Sequence, residues 1–298
     1  MTPDWIAVDW GTTSLRVWAM ADAQPLAARQ SADGMGKLSP ADFEPALLQL
    51  IADWLGDRPM PVIACGMVGA RQGWAEAAYR QVPCTPLGHP LRQVRANDPR
   101  LQLQIIPGLS QAGPADVMRG EETQIAGYLA LNPGFDGVIC LPGTHAKWAE
   151  IHAGRVLRFH TCMTGEIFAL LADQSVLRHS LCAGWADAAF TAAIQEILPA
   201  PENLPKLLFS LRAAALLQDL PGAEARARLS GLMIGAELAA MRPIWQGRQI
   251  ALIGAGALAG HYATALGLAG TTAQLTDGTE ITLAGLTAAR RLLKETAA

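Results

Sequence analysis

A strand–turn–strand pattern with Gly-Thr at its tip occurs twice in this chain and narrows the possible folds more than any other feature. Trp5 to Asp9 predicts a strand, Trp10-Gly11-Thr12-Thr13-Ser14 a turn, and Leu15 to Met20 a second strand. Gly137 to Leu141, Pro142-Gly143-Thr144-His145-Ala146 and Lys147 to His152 repeat the scheme, with the Gly-Thr pairs 132 positions apart. Ile6, Val8, Trp10 and Leu15, Val17, Ala19 alternate with the period of two that strands require. Glycine lets backbone approach a ligand closely. Thr and Ser hydroxyls beside exposed N–H groups suit phosphate oxygens. One such turn is an ordinary hairpin tip. Two, one per half of the chain, point to a clamp on a nucleotide.

Around these turns, strands and helices alternate. Ser39-Pro40 predicts a helix start, with Ser39 as N-cap and Pro40 at the first helical position. Phe43, Leu47, Leu50, Ile51 and Trp54 follow at helical spacing. Pro61 to Cys65 predicts a buried strand, followed by the turn Gly66-Met67-Val68-Gly69, and Leu101 to Ile106 predicts another. The stretch 109–118 is rich in Gly, Pro and small polar residues, which predicts a domain crossover. The expected domains are therefore 1–115 and 116–298, a division that 298 residues make natural. Glu122 to Leu131 reads as a helix, and 165–240 is mostly helical. Gln249 to Ile253 reads as a strand, Gly254-Ala255-Gly256 as a turn, and Ala257 to Leu268 as a helix. Each half opens on a β-meander and continues in α/β units, so the expected fold is duplicated.

Composition excludes several classes. With 51% hydrophobic and 16% charged residues the chain is globular. A net charge of −3 gives no reason to expect nucleic acid or an anionic membrane as partner. No run approaches the roughly 20 apolar residues of a membrane span. The N-terminal residues lack the basic, then apolar, pattern of a secretion signal. The five cysteines are odd in number and form no C-x-x-C pair, which favours a reducing, cytoplasmic setting.

Phosphoryl transfer needs positioned phosphates, a metal and an oriented acceptor. Asp9, ending a strand at the first turn, is placed to hold magnesium directly or through water. Gly11, Thr12, Thr13 and Ser14 offer donors to the phosphates, and Gly143 and Thr144 offer the same from the other half. The second tip has His145 in place of Thr and no Asp before its glycine, so only the first is equipped for the metal. Gly254 and Gly256, between strand and helix, suit a nucleotide. Read alone, with Asp277 beyond, they also fit a dinucleotide turn, although Gly260 falls one position too late for G-x-G-x-x-G. A nicotinamide-dependent oxidoreductase is therefore an alternative. His145, His152 and His160 form no tight ligand set.

Asp9-Trp10-Gly11-Thr12-Thr13-Ser14-Leu15-Arg16, Gly66-Met67-Val68-Gly69, Met118-Arg119-Gly120-Glu121-Glu122-Thr123-Gln124 and Pro142-Gly143-Thr144-His145-Ala146-Lys147-Trp148 together resemble the 2-dehydro-3-deoxygalactonokinase family. Thr164-Gly165-Glu166 and Ser230 to Glu237 are similar to that family as well. The resemblance covers nearly the whole chain, in order. It implies two actin-like, ribonuclease H-like α/β domains, with mixed sheets flanked by helices and the active site in a cleft that closes on ATP and a sugar acid. It implies transfer of the γ-phosphoryl group to the 6-hydroxyl of 2-dehydro-3-deoxy-D-galactonate, in galactonate breakdown. A different 2-keto-3-deoxy sugar acid, or a non-catalytic sensor on the same fold, are alternatives.

The resemblance also implies site roles. A carboxylate after glycine opens a helix ahead of the second phosphate turn in related kinases. Glu121 holds that place as base, with a longer side chain than the usual Asp, and Glu122 is the alternative. Gly254 and Gly256 would face adenosine. The substrate's carboxylate calls for a cation. Arg16, Arg71, Arg119 and Lys147 lie in or beside the motifs, Arg16 and Arg119 being placed with the substrate, while Arg16 or Lys147 could instead face the phosphates; Met67, Val68 and Gly69 form a sugar-facing loop. Lys147 is placed with the nucleotide. Homo-oligomerisation is a further possibility left open by the sequence.

Overall fold

The computed structural model describes residues 3–254 and 256–297. The chain forms two compact units. The first holds the residues up to Phe135, Ile151–Arg158 and the stretch from Gly278 onward. The second holds Asp136–Glu150 and Phe159–Asp277.

In the first unit β1 (Trp5–Trp10), β2 (Leu15–Ala21) and β3 (Gln24–Ser31) form the expected meander, followed by α1 (Phe43–Ile51) and β4 (Met60–Gly66). Then come β5 (Arg80–Gln81), β6 (Arg92–Val94), β7 (Leu101–Ile105), β8 (Leu109–Ala112), β9 (Ala115–Met118) and α2 (Glu121–Leu131). The main sheet has the order β3-β2-β1-β4-β7-β6. β1 runs antiparallel to β2 and parallel to β4, which sets Asp9 between Arg16 on one side and Cys65 on the other. Both faces of β1 are covered. Ile6, Val8 and Trp10 pack toward Phe43 and Leu47 of α1, while Trp5 and Ala7 belong to a second cluster. A strand buried on both faces is the mark of a sheet layered between helices.

Two local expectations change. Helix α1 begins at Phe43 with Asp42 as N-cap, not at Pro40. The Ser39 N–H and hydroxyl both donate to the Asp42 carboxylate, at 2.9 and 2.5 Å, so 39–42 closes as a turn ahead of the helix. The stretch 109–118 is a hairpin. Leu109 pairs with Met118 and Ser110 with Val117 around Gly113-Pro114, in a small sheet ordered β5-β8-β9. Buried Leu109 and Met118 anchor it, so its small polar residues mark the turn of a hairpin.

The second unit is built on β10 (Gly137–Leu141), β11 (Ala146–His152) and β12 (Arg155–Cys162). Five helices and two strands follow: α3 (Thr164–Asp173), α4 (Asp187–Ile197), α5 (Leu204–Leu217), α6 (Gly222–Trp245), β13 (Ile250–Gly254), α7 (Gly256–Leu268) and β14 (Ala273–Asp277). Its sheet has the order β12-β11-β10-β13-β14, with β10, β13 and β14 parallel. Three consecutive strands side by side, then parallel additions next to the first of them, is also the scheme of the first sheet. The duplication expected from the two Gly-Thr turns is thus present in topology. Val138, Cys140, Trp148 and Leu252 pack under Phe190 of α4, Ile234 and Leu238 of α6 and Tyr262 of α7.

The last helix, α8 (Gly278–Ala297), returns to the first unit. Leu286 and Ala289 join the cluster of Trp5, Ala7, Trp18 and Met20. Its contact with α2 is close enough that a Cβ on Gly285 would stand 1.9 Å from the Thr123 carbonyl oxygen.

Candidate active site

The first unit gathers Asp9, Arg16, Cys65, Gly66 and the start of α2. Arg16, across the β1–β2 pair, donates from Nε to Asp9 Oδ2 at 3.2 Å and makes an ion pair with it through Nη2. Its Nη1 donates to Thr279 Oγ1 at 3.2 Å. Arg16, expected on the substrate, is therefore turned toward the expected metal ligand. The turn itself is tight. Gly11 N–H donates to the Ser14 carbonyl at 2.9 Å, and the Gly11 and Thr12 carbonyls accept from Met35 and Gly36. Thr12, Thr13 and Ser14 are exposed at its tip. Gly66, at φ 88, ends β4 beside Trp10, where a Cβ would lie 2.6 Å from the Trp10 carbonyl oxygen.

The two glutamates that open α2 differ. Glu121 is half-buried, and its carboxylate accepts the Arg119 N–H at 3.0 Å. Glu122 is fully buried. It accepts from the Gly120 N–H at 2.6 Å and the Thr123 hydroxyl at 2.9 Å. Burial, and then the neighbouring Glu121 charge, push its carboxyl up to about 8. The buried Cys65 thiol is also raised, by desolvation first and then by the charges of Asp9 and Glu122. A shared electrostatic neighbourhood thus joins the first turn to the start of α2.

Of the sugar-facing candidates, Met67 is half-buried, while Val68 and Gly69 are buried, Val68 in the α1-side core. Arg119 lies behind them. Its guanidinium stacks on Tyr79 at 4.3 Å and donates from Nη2 to the Ala77 carbonyl at 2.7 Å. Its Nε and Nη1 are buried without a hydrogen-bond partner. A Cβ on Gly69 would come within 2.9 Å of that Nη1. A buried guanidinium with open donors is costly and invites an anionic group.

In the second unit, the Gly143-Thr144 turn sits on the start of α3. The Glu166 N–H donates to the Thr144 carbonyl at 3.0 Å, and His145 Nε2 bonds the Glu166 carboxylate at 2.5 Å. Gly165 has no side chain because the Gly143 carbonyl oxygen would stand 2.4 Å from its Cβ. A pocket of about 480 Å³ opens here. Gly143, Thr144 and Gly165 form one end, and Trp185, Leu258 and His261 are among the other lining residues. The Trp185 and His261 rings stack at 4.0 Å. Burial lowers the His261 pKa, against the pull of Asp187.

Gly254 ends β13 near Pro142, and exposed Gly256 opens α7, the helix that carries Leu258 and His261. Gly254 thus stands beside the residue that precedes pocket-lining Gly143, and Gly256 lies two residues before pocket-lining Leu258. Ala255 between them lies outside the described residues. Lys147 is buried and donates to Thr161 Oγ1 at 2.8 Å. Trp185, His261 and Phe168 were not legible as pocket residues, because aromatic side chains in helical stretches read first as core.

The topology of the two sheets defines the class, an actin-like fold. A Clostridium difficile activator of 2-hydroxyisocaproyl-CoA dehydratase with bound ADPNP shares this fold at 14% identity, with a TM-score of 0.55 over 98% of this chain and 96% of that one. Within the class, the chain belongs to the 2-keto-3-deoxy-galactonokinase family, whose model matches residues 9–289, and it is a kinase. The 2-dehydro-3-deoxygalactonokinase of Escherichia coli strain K12 is 39% identical over 247 residues, 81% of this chain and 82% of that one. A Sinorhizobium meliloti crystal structure assigned to the same kinase has a TM-score of 0.90 at 38% identity, covering 96% of each chain. Among the described residues, no helix is long and apolar enough to cross a membrane.

Proposed function

We propose that this protein transfers the γ-phosphoryl group of ATP to the 6-hydroxyl of 2-dehydro-3-deoxy-D-galactonate. The observation that carries the reading is the family match across residues 9–289, which spans both Gly-Thr turns and the glutamates between them. In this reading ATP occupies the second-unit pocket, its phosphates toward Gly143 and Thr144 and its adenosine toward Gly254, Gly256 and the Trp185–His261 stack. A volume of about 480 Å³ suits a nucleotide-sized ligand. Lys147, held by Thr161, backs the strand that follows the phosphate turn.

In the first unit, Thr12, Thr13 and Ser14 are exposed at the tip of the turn that Gly11 closes, with hydroxyls suited to phosphate oxygens. Asp9 would hold magnesium. Among the described residues, no group of three or more His, Cys, Asp or Glu is placed for a metal. One carboxylate fits magnesium all the same, because that ion keeps several waters and takes further ligands from substrate phosphates. Bound there, it would neutralise charge on the β- and γ-phosphate oxygens. Arg16 fixes the Asp9 carboxylate and adds positive charge at the same turn.

Glu121 serves as the base. It is the accessible member of the pair, whereas Glu122 is buried and largely protonated at neutral pH. A positioned carboxylate accepting the hydroxyl proton contributes roughly 10²–10⁴ in rate. Arg119, with Nε and Nη1 unpaired, is the anchor for the sugar-acid carboxylate beside Met67, Val68 and Gly69.

An ADP-release assay over a panel of 2-keto-3-deoxy sugar acids tests the reading. The galactonate derivative with ATP and magnesium should give the highest kcat/KM. Higher kcat/KM for the gluco epimer would reassign the substrate. ADP release with none of the acids would remove the reaction.

A further inference from the structure

The nucleotide pocket rests on a buried carboxylate to which the reading above gives no role. Glu237, on α6, is 5% exposed. Its Oε1 accepts the Trp148 indole N–H at 2.7 Å, and its Oε2 accepts the Tyr262 hydroxyl at 2.8 Å. The Thr164 side chain is a third hydrogen-bond partner, and burial raises the carboxyl above its ordinary range. The three partners come from three different elements. Trp148 lies on β11, four residues past Thr144. Thr164 opens α3, whose next residue, Gly165, packs on the Gly143 carbonyl. Tyr262 lies on α7, beside His261. Thr164 and Tyr262 themselves line the pocket.

A carboxylate buried among three neutral donors, with no cation among its described partners, is an expensive way to fill a core, and an apolar side chain of similar volume packs at lower cost. What the carboxylate adds is direction, because each donor is fixed at one point of a shared network. We propose that Glu237 is a positioning residue for the nucleotide site, holding β11, α3 and α7 so that the second Gly-Thr turn and the pocket wall keep one geometry. The proposal rests on the reading of that pocket as the ATP site. The sugar acid is placed with the first unit, so the effect of Glu237 falls on ATP alone.

The test compares the full chain with Glu237→Gln, which keeps the volume but replaces one acceptor by a donor. ATP binding is measured by calorimetry, KM for each substrate by steady-state kinetics, and the unfolding midpoint alongside. The expected result is a rise of about tenfold or more in the Kd and KM for ATP, the loss of one hydrogen bond to a charged group. The KM for the sugar acid should change by less than about twofold. Unchanged ATP binding, or equal weakening toward both substrates with a lowered unfolding midpoint, overturns the proposal.

Tyr262→Phe supplies a second arm, since it removes only the hydroxyl. It should weaken ATP binding in the wild type and add nothing in the Glu237→Gln background, whereas additive losses overturn the shared role. Should Glu237→Gln fail to fold, Tyr262→Phe and Thr164→Val decide alone, and an unchanged ATP KM in both overturns the proposal. A wild-type chain that binds no ATP removes the nucleotide reading itself, and that result is separate because no substitution is involved.

Discussion

Glu121 and Glu122 are identical in type and adjacent in sequence, yet they do different things. Sequence alone placed both in the first turn of a helix, where acids favour the dipole. Which one points outward depends on the turn at Gly120 and on how α2 packs, and neither is written in local pattern. If Glu121 is the base, Glu121→Gln lowers kcat by at least about 100-fold while ATP affinity stays nearly constant. Single-turnover kinetics with a fluorescent ATP analogue would check both quantities, and near-wild-type turnover would move attention to another group. Glu122 predicts a pH effect. Its carboxyl titrates at about 8 when folded, against an ordinary 4.5. The folded chain therefore keeps a proton that the unfolded chain releases above about 4.5. The stabilisation is whole below that pH and is lost as pH rises through about 8, a total on the order of 3–5 kcal/mol. The neighbouring Glu121 charge, and hydrogen bonds from Thr123 and Gly120, modulate the window. Glu122→Gln, with no proton to lose, should flatten the decline in urea midpoint between pH 5 and 8.5. Parallel pH profiles for the two proteins would sink this account.

At the scale of elements, the meanders were legible because short apolar runs such as Trp5–Trp10 and Gly137–Leu141 are broken by Gly-Thr turns, the pattern of strands buried on both faces. The hairpin β8–β9 was not, because a turn built on Gly113-Pro114 and flanked by small polar residues has the composition of a linker. The start of α1 was misplaced for a similar reason. Ser39-Pro40 is a good helix opening in isolation, but Asp42 captures the Ser39 hydroxyl first. The second-unit pocket was half legible. Its glycine turns stood out, while Trp185, His261 and Glu237 come from distant segments that only tertiary packing brings together. The α2–α8 contact makes the plainest prediction at this scale. Gly285→Ala would force a methyl into the Thr123 carbonyl and separate the helices, at about 1–3 kcal/mol or more. Urea denaturation should show that loss with kcat reduced as well, since α2 carries Glu121. An unchanged midpoint would mean that the helices slide apart freely.

For the whole molecule, the return of α8 matters most. Leu286 and Ala289 complete the core cluster around Trp5, Ala7, Trp18 and Met20. A chain ending at Asp277 would leave that apolar face of the first sheet open to water. We expect such a truncation to aggregate or to lose the near-ultraviolet signal of Trp5 and Trp18, whereas the second unit, whose segments all precede Gly278, should retain protease protection. Equal loss of protection in both units would contradict this. The same arrangement orders events during synthesis. The ribosome makes most of the first unit before it reaches Asp136, but the helix that seals it is made only after every segment of the second unit. At about 5–20 residues per second, the 142 residues from Asp136 to Asp277 take roughly 7–30 s. Through that interval the unit begun first stays unfinished, while the second unit becomes complete as soon as its own segments have emerged. A nascent chain stalled just before α8 should therefore recruit chaperones at its N-terminal end and not at its C-terminal one.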